Sequence, residues 1–94
     1  MNKPSIIQQD ETRCYVCGSM VGLERHHAMH GTANRKIAEK YNLTVMLCRE
    51  HHTGRLGVHT DPILDNRIKQ DAQRAFTRIY SRGLWMRLFG KNYL

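Results

Sequence analysis

All six histidines and all three cysteines of this 94-residue chain fall between Cys14 and His59, and their spacing suits two kinds of chemistry. Cys14 and Cys17 form a CxxC followed by Gly18, a tight turn that can bring two thiolates to one ion. Thirty residues later Cys48 is followed by His51, a CxxH. Soft thiolates plus one imidazole in a closed four-ligand set are what tetrahedral Zn2+ prefers. A structural zinc on Cys14, Cys17, Cys48 and His51 is therefore expected, with His52 as the alternative fourth ligand. The odd cysteine count and the lack of a βαβ context argue against a disulfide framework or a thioredoxin-like pair. The remaining imidazoles, His26, His27, His30, His52 and His59, are of the type that binds a divalent ion or moves a proton near neutral pH.

The elements that must carry these residues can be read from pattern. Residues 1–13 are polar, contain Pro4 and lack periodicity, so a loosely ordered arm or a short cap is expected, with no chemistry of its own. Met20 to His26 alternates like a short strand with the first histidine pair at its exit. Asn34 to Tyr41 favours helix, with Asn42 as its stop. Leu43 to Leu47 is β-branched and apolar enough for a second strand, and Cys48 opens a turn into a helical stretch, Arg49 to Thr53, ended by Gly54. Gly54 and Gly57 mark a loop that carries His59. Asp61-Pro62 is an N-cap followed by proline at the first helical position, so a long helix should run to about Arg82. Leu64, Ile68, Ala72, Ala75 and Ile79 share one face of it, and Arg67, Arg74, Arg78 and Arg82 a neighbouring one. A final helix from Ser81 to Phe89 packs through Leu84, Trp85, Leu88 and Phe89.

Length and composition bound the function. A chain this short holds one domain: an arm over 1–13, a metal-stapled core over 14–60 and a helical extension over 61–94 packed on that core. No apolar run approaches the roughly 20 residues that span a bilayer, and the N-terminus is too short in apolar residues for a signal peptide. A cytoplasmic protein is expected. Fifteen Lys and Arg against eight Asp and Glu give a net charge of +7 and a pI of about 9.8, a balance that suits a polyanion such as DNA. Arg35 and Lys36, beside the histidine pairs, are the best candidates for phosphate contacts, with Arg74 and Arg78 on the long helix as a second stripe. No membrane partner is expected.

Residues 14–59 resemble the HNH nucleases with a treble-clef, ββα-metal fold, in particular their small zinc-containing phage and prophage members. The resemblance lies in the CxxC, a first strand ending in Glu24-Arg25-His26-His27, a middle asparagine, a second strand running into Leu47-Cys48, and then His51-His52. The tail Leu88-Phe89-Gly90-Lys91-Asn92-Tyr93-Leu94 also looks like the ending of small phage proteins of this type, akin to the recombination-enhancing nucleases. The resemblance implies an α+β fold with a zinc-stapled ββα-metal centre and C-terminal helices. It also implies that His27 is the general base, and that His26 and His52 hold a catalytic divalent ion such as Mg2+ or Mn2+. His30 and His59 are candidates for a further metal ligand or a scissile-phosphate contact. Two asparagines fit the middle position: Asn42, which could orient the base through a backbone contact but is also explained as a helix C-cap, and Asn34, which could do the same job or cap the following helix. Asn34 is preferred.

The expected activity is that of a metal-dependent DNA endonuclease or nickase. Activating water near pH 7 suits imidazole, and the phosphorane charge and 3′ leaving oxygen need a divalent ion. Double-strand cutting by so small a protein would call for a homodimer. The alternatives are a non-catalytic zinc-binding module on DNA, and an accessory subunit working with recombination or phage proteins.

Overall fold

The computed structural model describes residues 4–94. Strand β1 (Leu23–His27) pairs antiparallel with β2 (Thr44–Cys48), setting Leu23 opposite Cys48 and His27 opposite Thr44. Helix α1 (Thr32–Lys40) connects them, and β2 runs directly into α2 (Arg49–His52), a single turn. Helices α3 (Pro62–Ile79) and α4 (Arg82–Phe89) follow. The fold is α+β, a two-stranded sheet with helices around it. None of the described helices is long and apolar enough to cross a membrane.

The first strand starts three residues later than its alternation predicts. Gly22 turns with φ 65°, and Met20 and Val21 before it are exposed, so pairing begins only at Leu23. Helix α1 starts at Thr32 rather than Asn34, with Gly31 at its N-cap. After α1, Asn42 takes a left-handed φ of 60°, the conformation that ends many helices and that asparagine tolerates. Leu43 belongs to that turn, its N–H bonded to the Ala38 carbonyl, and β2 starts at Thr44.

Of the two readings of the N-terminal arm, the cap describes residues 5–15; residues 1–3 lie outside the described residues. The Ser5 hydroxyl donates to the Thr44 carbonyl, the Ile6 N–H to the Asn42 carbonyl at 3.1 Å and the Tyr15 N–H to the Met46 carbonyl at 2.8 Å. Gln8, 7% exposed, accepts the Met46 N–H at 2.7 Å and donates to the Asp10 and Arg13 carbonyls. These contacts cover the outer edge of β2, which would otherwise present unpaired backbone groups to water.

The long helix begins as its sequence dictates. The Asp61 carboxylate accepts from the N–H groups of Ile63 and Leu64 at 3.0 and 3.2 Å, and Pro62 occupies the first turn. Its end differs: α3 stops at Ile79 rather than Arg82, because the Ser81 hydroxyl accepts the Leu84 N–H at 3.0 Å and caps α4 instead. The buried face shifts accordingly. Ile79 is 56% exposed, while Phe76 and Gln73 are fully buried beside Ile68, Ala72 and Ala75. Gln73 is satisfied by the C-terminal tail, donating to Asn92 Oδ1 at 2.7 Å and accepting the Tyr93 N–H at 2.8 Å. One buried cluster runs from Cys14 through Leu43, Val45, Leu47 and Phe76 to Trp85, across the boundary expected at residue 60.

Candidate metal centres and active site

The CxxC turn is built as its glycine requires. Gly18 has φ 78°, its N–H reaches the Cys14 carbonyl at 2.9 Å, and the Cys14 N–H reaches the Ser19 carbonyl at 2.7 Å. The knuckle lies against the end of β2, where Cys48 and the first turn of α2 complete the set. Donor atoms of Cys14, Cys17, Cys48 and His51 all lie within 4.8 Å of one another. Cys17 Sγ stands 3.7 Å from Cys48 Sγ, and His51 Nδ1 is 3.3 Å from Cys48 Sγ and 4.0 Å from Cys14 Sγ. Sulfurs about 2.3 Å from a tetrahedral zinc stand about 3.8 Å apart, so this cluster could hold a metal ion and its donors suit zinc.

The electrostatics of Cys14 and Cys17 point the same way. Burial opposes ionisation of Cys14, yet backbone N–H groups of Cys48, Cys17 and Val16 outweigh it and bring the thiol down to about 6. For Cys17 the Ser19 backbone favours the thiolate, but desolvation and the neighbouring thiols Cys48 and Cys14 together push it above its ordinary value. Crowded thiolates repel one another, and a divalent cation among them relieves that repulsion.

The register of the adjacent histidines divides α2 between two places. His51 faces the thiols, while His52 faces β1 on the other side. Donor nitrogens of His26, His52 and His59 lie within 4.8 Å of one another, with ring centroids 5.3 to 5.7 Å apart. His26 alternates inward on β1 and is 3% exposed. Burial, with His52, His59 and His30 nearby, pushes its pKa down to about 3, so the ring is neutral and keeps a lone pair. Its Nε2 is buried with no hydrogen-bond partner among the described residues. An orphaned buried nitrogen facing two further imidazoles fits a ligand set for a cation. His52 Nδ1 lies 3.1 Å from Glu24 Oε1, the carboxylate–histidine arrangement that orients metal-binding imidazoles.

His59 reaches this cluster on the loop after α2. The Val58 N–H bonds the His51 carbonyl at 3.0 Å, and a Cβ at Gly57 would stand 2.5 Å from the His52 carbonyl oxygen, so the loop closes this tightly only with glycine there. His30 lies beside the cluster, its ring 6.0 Å from that of His26 and 6.1 Å from that of His59. Its Nε2 is 2.8 Å from Asp65 Oδ1 on α3, which also pairs with Lys69 at 2.9 Å.

His27, one residue beyond His26, turns to the opposite face of β1. It lines an open groove of about 730 Å³ with His30, Gly31, Thr32, Arg35, Lys36 and Glu39. His30 thus borders both the groove and the imidazole cluster. His27 Nε2 is 2.6 Å from Glu39 Oε2, and this hydrogen bond holds the Glu39 carboxyl below the usual carboxylate range.

Not every expected site residue joins this constellation. Asn34 lies in the first turn of α1 and not at its cap, and among the described residues the His27 ring hydrogen-bonds Glu39 rather than the side chain or backbone of Asn34 or Asn42. Arg74 and Arg78 are exposed on α3, but nine and thirteen residues beyond Asp65 they sit about half a turn round the helix from it. They stand away from the groove, whereas Arg35 and Lys36 line it. Glu24, Glu39 and Asp65 each sit on a histidine; of these the sequence shows only Glu24, two residues before the His-His pair, and gives no signal for Glu39 or Asp65.

Comparison with protein-family models, with curated proteins and with solved structures finds no match to this chain. What the site can do must therefore be argued from its own chemistry.

Proposed function

We propose that the protein is a metal-dependent phosphodiester hydrolase acting on DNA, an HNH-type endonuclease or nickase with a zinc-stapled ββα-metal centre. The observation that carries the reading is the buried, unpartnered His26 Nε2 facing His52 and His59, one residue from His27 in a groove lined by Arg35 and Lys36. A strand, a one-turn helix and a loop supply the imidazoles, and β1 presents its next residue to the groove. The order β1, α1, β2, α2 with a CxxC before it is consistent with the treble-clef resemblance.

His27 accepts the proton of a water whose oxygen bonds to phosphorus while the bond to the 3′ oxygen breaks. His26, His52 and His59 would hold a divalent ion, which would supply positive charge for the phosphate and the departing oxygen; an imidazole donor set suits Zn2+, Co2+ or Ni2+ better than Mg2+. Arg35 and Lys36 neutralise phosphates beside the cut and give no sequence readout. The net charge of +7 supports a polyanionic substrate.

A non-catalytic DNA-binding module with two structural zinc ions would need a fourth ligand at the imidazole centre. The neighbouring imidazole, His30, is not among the donors that gather within 4.8 Å of one another there. The test is cleavage of supercoiled and linear duplex DNA across Mg2+, Mn2+, Co2+, Ni2+ and Zn2+, comparing wild type with His27→Ala. The variant should bind DNA normally and lose roughly 100-fold or more in rate. Equal cutting by both would remove His27 from the chemistry, and no cutting by wild type with any ion would leave the binding module.

A further inference from the structure

We propose that Glu39 is a positioning residue for His27, holding its imidazole with Nε2–H toward α1 and leaving Nδ1 as the atom that takes the proton from water. The inference rests on the hydrolytic reading above and adds to it the orienting group, the tautomer and the basic atom. A neutral imidazole has one N–H and one lone pair, and an ionised carboxylate can only accept. With Glu39 Oε2 at 2.6 Å from His27 Nε2, the proton of neutral His27 lies on Nε2. Among the described residues Glu39 is the one side chain that hydrogen-bonds this ring.

Placement supports the assignment. Glu39 lies at the end of α1 and His27 at the end of β1, and both line the groove that also holds Arg35 and Lys36. The resemblance assigns the orienting task to an asparagine, and neither Asn34 nor Asn42 performs it with its side chain here. A base held by a third group is the recurring logic of activated nucleophiles and waters, because a ring free to flip presents the wrong nitrogen part of the time. As a stabilising contact the pair contributes little, since the Glu39 side chain is 54% exposed and such ion pairs are weak. An acidic side chain also opposes phosphate binding in a basic groove, so a substrate-binding role does not account for it.

The experiment uses the full chain loaded with zinc, as wild type, Glu39→Ala and Glu39→Gln. Two readouts are taken: imidazole 15N NMR, which reports the His27 tautomer, and steady-state cleavage of duplex DNA. Wild type should show His27 as the Nε2–H form. Glu39→Ala should mix both tautomers and lose roughly tenfold in kcat, with KM unchanged or lower and Tm unchanged. Glu39→Gln, whose amide oxygen still accepts the N–H, should restore the tautomer and most of kcat. Retention of the Nε2–H form in Glu39→Ala, or a tautomer mixture with undiminished kcat, overturns the proposal. If wild type cuts with no ion, the hydrolytic reading fails and the catalytic assignment with it; the NMR comparison then still shows whether Glu39 orients the ring.

Discussion

Burial removes water from His26, and the imidazoles around it add like charge whenever they are protonated, so its proton affinity falls far below that of a free histidine. The consequence for stability has a definite sign. The folded pKa is about 3 against 6.5 unfolded, so the unfolded chain takes up the proton first as pH falls. This contribution is complete above about pH 6.5 and is lost as pH drops from there toward 3, with a slope of at most roughly 1.4 kcal/mol per pH unit. Urea midpoints measured from pH 7.5 to 5 should fall for wild type and fall less for His26→Asn; parallel curves would mean that His26 does not titrate this way. At this scale the cluster of Cys14, Cys17, Cys48 and His51, which could hold a metal ion, was legible because CxxC and CxxH fix their own geometry through local turns. Glu39 and Asp65 were not, nor was the pairing of Glu24 with His52, since these partners lie between 12 and 35 positions apart and only the folded chain brings them together.

The elements that hold these residues are small, and one glycine governs a whole ligand. A methyl group at Gly57 would meet the His52 carbonyl oxygen at 2.5 Å and the Gly54 carbonyl oxygen at 3.0 Å, both backbone atoms that cannot step aside. Gly57→Ala should push the 53–60 loop off α2 and carry His59 away from His26 and His52. Calorimetric titration with Zn2+ should then show the imidazole site weakened by on the order of tenfold or more, with the thiolate site unchanged; equal affinity at both sites would refute this. Helix starts were readable where a side chain makes the cap, as at Asp61. The end of α3 was not, because the arginine and apolar spacing continues smoothly past Ile79, and a single hydroxyl at Ser81 decides the break.

Across the whole molecule, the Cys14, Cys17, Cys48 and His51 cluster brings residues 14–17 against residues 48–51, and a metal held there would tie the covering N-terminal segment to the sheet. Binding that favours only the folded state stabilises it by about 4 kcal/mol at a thousand times Kd, and each kcal/mol shifts Tm by roughly 4–8 °C for a domain of this size. Chelation or Cys17→Ser should lower Tm by more than about 10 °C. Cys17 is exposed, so its substitution removes a ligand without emptying the core. A Tm insensitive to chelator would exclude a structural metal there. The strands and helices, and the packing of the C-terminal helices on the core, were expected from sequence, while the tail folded onto Gln73 depends on long-range contacts that periodicity does not encode.

The ligands of both centres precede α3 in the chain, and this gives synthesis a direction. A nascent polypeptide can close its thiolate knot and gather His26, His52 and His59 once residue 59 has left the ribosome. Asp65, and with it the tether on His30, arrives later. A metal held by either set would therefore be gripped by the segment before α3, while α3 and α4 add apolar core and the Asp65 contact to His30.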